Sequence, residues 1–500
     1  MQGSPLLTVI TFLPLLGGIL LFLVPRGRVG VARTVAMLFA LADVALTAYL
    51  AWAAHPGAGF QFQERAAWLP GFFSYHLGAD WISIFLLLLT SVSFLVSIAA
   101  SRGITQRGRA YLFLMLLAET ACLGLFVSLD LFLFYIFWEV MLVPIYLLII
   151  GWGGANRRRA ATKFLIYNLA ASLLMLVALV WVGIQNAGAG HDAWGYLSLL
   201  HLHLPAAAQL LPFLAFSLAF AVKMPLFPFH TWMPDAYAEA PAPVTAVLSG
   251  VLSKAGLYGF LRLGLPLFPA AAREVWPWVA GLAIIGVIYG SLIALAERDA
   301  KRLVGYASLA HLGIILLGIF AFDLQGLEGG VLQMVNHGVY VVALFLLLGM
   351  IEERAGTRDV TALGGLAVRA PVLAASFLIV ALAALGLPGL NGFAGEFLIL
   401  LGVFQTHLWL AVAAMLGVIL ASAYMIRLLQ AAFHGPRTFP GQGREMSAWE
   451  FTLMVPLLFI IFWIGIAPRP IPAEVAPTAH HLVAQVSYAP PSGFPGGTGR

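Results

Sequence analysis

Charge is scarce in this sequence. Only 9% of its 500 residues are Asp, Glu, Lys or Arg, against about 25% in soluble domains, and 62% are hydrophobic. That balance excludes a water-soluble globular chain. Cysteine is nearly absent as well. The single thiol, Cys122, lies inside an apolar run, which excludes a disulfide framework and any multi-thiolate metal or iron–sulfur site. There is no nucleotide-binding glycine fingerprint and no nucleic-acid module. His201 and His203, in "HLHL", have no carboxylate or cysteine neighbours and do not read as a metal site.

Long hydrophobic runs are what the chain does have. Fourteen are long enough to cross a hydrocarbon core of about 30 Å, from 5–25 at the start to 449–467 at the end, with 208–237, 241–264 and 371–403 among them. The fold class they specify is an all-α polytopic membrane protein of about 14 transmembrane helices. The first run has no basic residue ahead of it and is followed by Arg26 and Arg28, so it reads as an uncleaved span. With the N-terminus outside, 18 of the Lys and Arg residues fall in cytoplasmic loops, among them Arg157, Arg158 and Arg159. Only Arg65, Arg262, Arg273, Arg469 and Arg500 fall outside. The positive-inside rule therefore puts both termini on the outer side of a bacterial cytoplasmic membrane, and this distribution accounts for the net charge of +5.

Three lysines escape that pattern. Lys163, Lys223 and Lys254 lie within or at the ends of spans, as do Asp43, Glu119, Glu139, Glu396, His311 and His337. A charge at mid-bilayer costs roughly 2.5–3.5 kcal/mol, so a set this large marks an ion path through a protein interior. Two runs are also broken. "FAVKMPLFPFHTWMPDAYAEAP" carries Pro225 and Pro228 directly after Lys223, and "GLPGLNGFAGE" carries Pro388 and four glycines directly before Glu396. Irregular backbone at membrane depth survives only where protein or a water-filled cavity satisfies it. Paired broken helices point to internal repeats around an ion site. With spans 7 and 12 discontinuous, the repeats are spans 4–8 and 9–13, two five-helix units of inverted orientation. The domain reading is then 1–109, an N-terminal three-helix segment; 110–264 and 276–430, the two repeats; 431–469, a last span; and 470–500, a flexible tail.

The stretches "FYIFWEVMLVPIYLLIIGWGG", "FAVKMPLFPFHTWMPDAYAEAPAPVTAVLSGVLSKAGLYG", "RLVGYASLAHLG" and "GLPGLNGFAGEF" resemble the antiporter-like proton-channel subunits of respiratory complex I. The resemblance covers nearly all of residues 1–470. Within that family, glutamate at position 396 and an end soon after span fourteen resemble the subunit M branch; the L and N branches generally carry lysine near that place. The resemblance implies a proton-translocating subunit with no cofactor of its own. NADH, FMN, iron–sulfur clusters and quinone would belong to partner subunits, the L and N chains being its membrane neighbours, with lipid around and no nucleic acid. It implies a relay of Glu139 and Lys223 as an ion pair, Lys254 as the next carrier, His311 and His337 between, and Glu396 as terminal donor. A subunit of a multi-subunit cation/proton antiporter, or of an energy-converting hydrogenase, is the alternative.

Several residues carry a plainer reading beside that one. His337 reads as a relay or as a histidine bonded to a carbonyl, and Glu119 as a carrier or a helix–helix staple. Asp130, in "SLDLF", reads as a helix cap, and Lys163 as a side chain snorkelling to the interface. Asp235 and Glu239 draw protons in or are solvated loop acids. Arg427 reads as an anchor at the end of span thirteen.

Overall fold

The computed structural model describes residues 4–57, 59–69, 73–434 and 443–487. Among them, thirteen helices are long and apolar enough to cross a membrane, beginning with Leu6–Leu23 and Val29–Ala53 and ending with Ala448–Ile466. The one remaining crossing expected from the sequence, span 12 at 371–403, is two shorter helices, Pro371–Ala384 and Asn391–Thr406. Gly386 and Gly389 separate them with φ of +79° and +94°, a left-handed backbone that glycine alone adopts at little cost. Span 7 breaks in the same manner. Its first helix, Ala206–Lys223, stops at the lysine, and the chain resumes as Met233–Glu239 beyond the two prolines, which lack the backbone donor a continuing helix needs.

Short acidic caps start several of these helices. Asp130 accepts from the backbone N–H groups of Phe132 and Leu133 at 2.9 and 3.0 Å, so the cap read from "SLDLF" is in place. Asp80, Asp299 and Asp323 cap other helices in the same way, satisfying donors that a helix start leaves open. Helix edges facing the outside of the bundle expose Val177, Leu211, Trp278 and Ile419, a surface that suits lipid. Ala242–Leu267 is wholly enclosed, and Leu324–Ala355 nearly so; these central helices carry Lys254 and His337.

Four features depart from the sequence reading. One antiparallel hairpin, Gln61–Leu69 with Phe73–Ala79, interrupts the helical pattern, paired Glu64 to Leu77 and Arg65 to His76. Part of the segment expected to be a flexible tail is instead a helix, Pro470–Ser487. Its Ile471, Val475, Ala479, Leu482 and Val486 are buried at spacings of three and four, the stripe of a helix packed on one face; the rest of that tail lies outside the described residues. Arg262, expected in an outer loop, is buried within Ala242–Leu267. Lys163 has a partner the sequence did not reveal: its Nζ is 2.9 Å from Asp235 Oδ2.

Candidate functional site

Six residues singled out in the sequence divide into two places. Lys223 ends its helix at the first break and is buried, and its Nζ has no hydrogen-bond partner among the described residues. The expected Glu139–Lys223 ion pair is not closed. Glu139 lies near enough to act on Lys223 electrostatically, but its Oε1 is also unbonded. What Lys223 meets is the preceding residue on the glutamate's helix, Trp138, with Nζ 4.8 Å from the ring centroid. A helix turns about 100° per residue, and here that turn brings Trp138, not Glu139, against the ammonium. The indole replaces the carboxylate as the cation's immediate neighbour.

The other four residues form one buried run. Lys254 Nζ is 2.7 Å from His337 Nδ1 and bonds the Ser249 carbonyl at 2.8 Å and Ser253 Oγ at 3.3 Å. With Lys254 as an ammonium, which only donates, Nδ1 accepts and the ring proton of His337 sits on Nε2, which has no protein partner among the described residues. The His337 and His311 rings lie with centroids 5.8 Å apart. His311 Nδ1 is 2.9 Å from Glu396 Oε1, with Tyr424 OH 3.3 Å from Nε2. His337 is thus bonded to a lysine and not, through Nδ1, to a carbonyl.

Backbone irregularity shapes both ends of this run. The helix carrying Lys254 widens into single π turns at Leu248–Leu252 and Phe260–Gly264, a departure that recurs at functional sites. At the other end, a Cβ on Gly386 would lie 2.9 Å from Glu396 Oε2, and one on Gly395 would lie 2.3 Å from Gln333 Oε1. The glycines of the second break therefore make the room in which the carboxylate sits.

Sequence reasoning missed the groups that steady this run. Gln333 donates to Glu396 Oε1 at 3.2 Å, and Asn336 donates to Gln333 at 3.3 Å and to the Asn391 carbonyl at 2.7 Å. The signal was available: Gln333, Asn336, His337 and Tyr340 recur at helical spacing inside an apolar run, which puts one polar stripe on one face. Near the arginine-rich loops, Asp235 pairs with Lys163 and, at 3.0 Å, with Arg302. Glu239 is buried and accepts from the Asn156 N–H at 2.8 Å. A cavity of about 600 Å³ opens there, lined by Arg102, Glu239, Lys301, Glu352, Arg358 and Glu450. Arg427 bonds the Leu295 carbonyl, an anchor between two helices. Asp43 and Glu119 are buried with all four carboxyl oxygens unpartnered among the described residues, so Glu119 does not hydrogen-bond as a staple.

Comparison with known proteins identifies the family. Residues 128–421 match the family described as NADH:quinone oxidoreductase/Mrp antiporter, TM. The NADH-quinone oxidoreductase subunit M of Rhodobacter capsulatus is 39% identical over 493 residues, covering 96% of each chain. A chain of respiratory complex I from Thermus thermophilus with bound NADH superposes with a TM-score of 0.88 at 34% identity, covering 96% of this chain and 99% of that one. A chain of the Mrp complex from Dietzia shares the fold, with a TM-score of 0.83 at 22% identity and cover of 97% and 100%. On these matches, the chain belongs to the NADH:quinone oxidoreductase/Mrp antiporter membrane family, on its subunit M branch.

Proposed function

We propose that this chain is a proton-translocating membrane subunit of an NADH–quinone oxidoreductase, moving protons while partner subunits pass electrons from NADH to quinone. The observation that carries the reading is the buried run Lys254–His337–His311–Glu396, in which neighbouring groups are in bonding or ring contact. NADH, FMN, iron–sulfur clusters and quinone belong to those partners. The membrane neighbours are the related L and N chains. The arginine-rich loops face the cytoplasm and both termini face out, in a bacterial inner membrane, by the positive-inside rule. The two broken helices support reading 110–264 and 276–430 as inverted repeats that meet at Lys254 and His337.

A proton step follows from the donor and acceptor assignments. Lys254 delivers a proton to His337 Nδ1 along their hydrogen bond, and the imidazolium releases the proton on Nε2 toward His311, after a small ring rotation or through one water. His311 and Glu396 already share a hydrogen bond, so the next transfer is to the carboxylate. Upstream, Glu139 acts on Lys223 through space. When its charge is near, the ammonium is favoured; when it is withdrawn, Lys223 gives its proton up more readily. The half-closed geometry, with Trp138 holding the ammonium, fits a pair that engages and releases.

Reconstituting the whole complex in sealed vesicles and counting protons per NADH tests this reading. Glu396→Gln is expected to retain electron transfer in detergent while lowering proton output. An unchanged proton count with Glu396→Gln overturns the relay. A purified assembly that exchanges cations for protons without oxidising NADH overturns the redox reading in favour of an antiporter.

A further inference from the structure

Beyond the relay, Lys254 has a second set of neighbours that the reading above leaves unused. Tyr258 and Arg262 follow it at four and eight residues on the same helix, and so lie outward along one face, with Arg262 about 12 Å further along at 1.5 Å per residue. Arg262 is ion-paired to Asp80. Asp80 begins the helix Trp81–Ala100, whose other end leads to Arg102. The cluster therefore occupies the membrane end opposite the arginine-rich loops. We propose that Asp80, Arg262 and Tyr258 form a dry electrostatic seal that keeps a proton on Lys254 from escaping directly to that end of the membrane, with Thr478 of the last helix as its clasp. The proposal rests on the assignment of Lys254 as a proton carrier.

The Asp80 and Tyr258 oxygens are all hydrogen-bonded; Arg262 Nε is the one group of the cluster without a partner among the described residues. Asp80 Oδ1 accepts from the Ser83 N–H at 3.0 Å and from Arg262, and Oδ2 accepts from Thr478 Oγ1 at 3.3 Å. Tyr258 OH donates to the Phe126 carbonyl at 2.9 Å and lies 3.1 Å from Ser83 Oγ. Paired with the Arg262 cation, the Asp80 carboxylate is disfavoured as a receiver for a proton from Lys254. The Arg262 guanidinium stands over the rings of Phe60 and Tyr258, 5.1 and 5.3 Å from their centroids. A cavity beside it, lined by Phe60, Asp130, Tyr196, Tyr258 and Arg262 among others, holds about 10 Å³, room for no more than one water. The choice of arginine matters. It keeps its proton under all working conditions, so unlike lysine it cannot serve as a stepping stone, and a fixed positive charge in a pore repels protons and other cations. Cohesion alone does not call for such a pair, since apolar packing of similar volume stabilises a buried site as well or better.

The test uses the intact complex in sealed vesicles under an imposed pH gradient, without NADH, and reads proton leak with a trapped dye. Arg262→Gln and Asp80→Asn are expected to raise the leak about tenfold while NADH:quinone electron transfer in detergent is retained. Adding Lys254→Ala to either variant is expected to return the leak to the wild-type level, because the escaping proton starts from that lysine. Should Arg262→Gln fail to assemble, Asp80→Asn and Thr478→Val carry the same measurement with smaller changes of shape. Assembled variants with no extra leak overturn the seal, and so does a leak that persists without Lys254, which marks general loosening. Normal pumping in Lys254→Ala alone would instead refute the carrier assignment, so the two failures are distinguishable.

Discussion

At the scale of single residues, the arrangement around Lys223 makes a sharp prediction. A closed buried ion pair that loses one partner typically costs about 3–5 kcal/mol. Here Glu139 is not in contact with Lys223, and Trp138 already faces the ammonium. Glu139→Gln is therefore expected to lower thermal stability by less than ~1 kcal/mol, as for a change outside any bonded network, while proton pumping falls severalfold. Differential scanning fluorimetry of the purified complex, set beside its proton-to-electron ratio, checks both halves; a large loss of stability would make the pair a staple. The exchange Glu139→Lys with Lys223→Glu is expected not to restore pumping, because it reverses the local order of proton donors. Buried charge was legible in the sequence because a lysine or glutamate in an apolar run has no other explanation. Pairing was not legible, since rotation about the helix axis decides whether Trp138 or Glu139 meets the cation. Arg262 fails for a related reason: its partner Asp80 is 182 positions away, and counting loop cations contains no such term.

At the scale of elements, the second break separates two kinds of glycine. A Cβ on Gly392 would lie 2.0 Å from the Ala383 carbonyl oxygen, whereas one on Gly389 meets nothing within 4 Å. Gly392→Ala must push Pro371–Ala384 away from Asn391–Thr406, which moves Glu396 relative to His311. The expected result is a loss of about 1–3 kcal/mol, typical of overpacking, together with reduced pumping. Gly389→Ala incurs backbone strain from its positive φ, on the order of 1 kcal/mol, with pumping largely retained because no neighbour moves. Fluorimetry and proton counting on both variants separate the cases, and equal effects on pumping would show that the break does not position the carboxylate. The breaks themselves could be read from proline and glycine at membrane depth. The helix Pro470–Ser487 could not be separated from the featureless end that follows it, because its apolar stripe is interrupted by Pro472, Pro477 and two histidines, and only packing against the bundle gives the stripe a purpose.

At the scale of the whole molecule, the contact between Lys254 and His337 joins chemistry carried by 110–264 to chemistry carried by 276–430. Two broken helices lie on either side of it, with Lys223 at one and Glu396 at the other. If protons pass from one half to the other here, the two residues act in series. Lys254→Ala and His337→Ala should then each remove the share of proton output that passes through this chain, roughly tenfold or more as for loss of a proton-transfer group. The double variant should be no worse than either single one, since a path cut once is not cut further. Stability should behave differently. Each truncation empties part of a packed core and leaves its own cavity, so those losses accumulate, less whatever the direct hydrogen bond contributes. Protons per NADH across the four members of the cycle, measured beside their melting temperatures, distinguish the two behaviours. Additive losses in pumping would mean that Lys254 and His337 serve separate routes, and that the halves of the molecule move protons independently of each other.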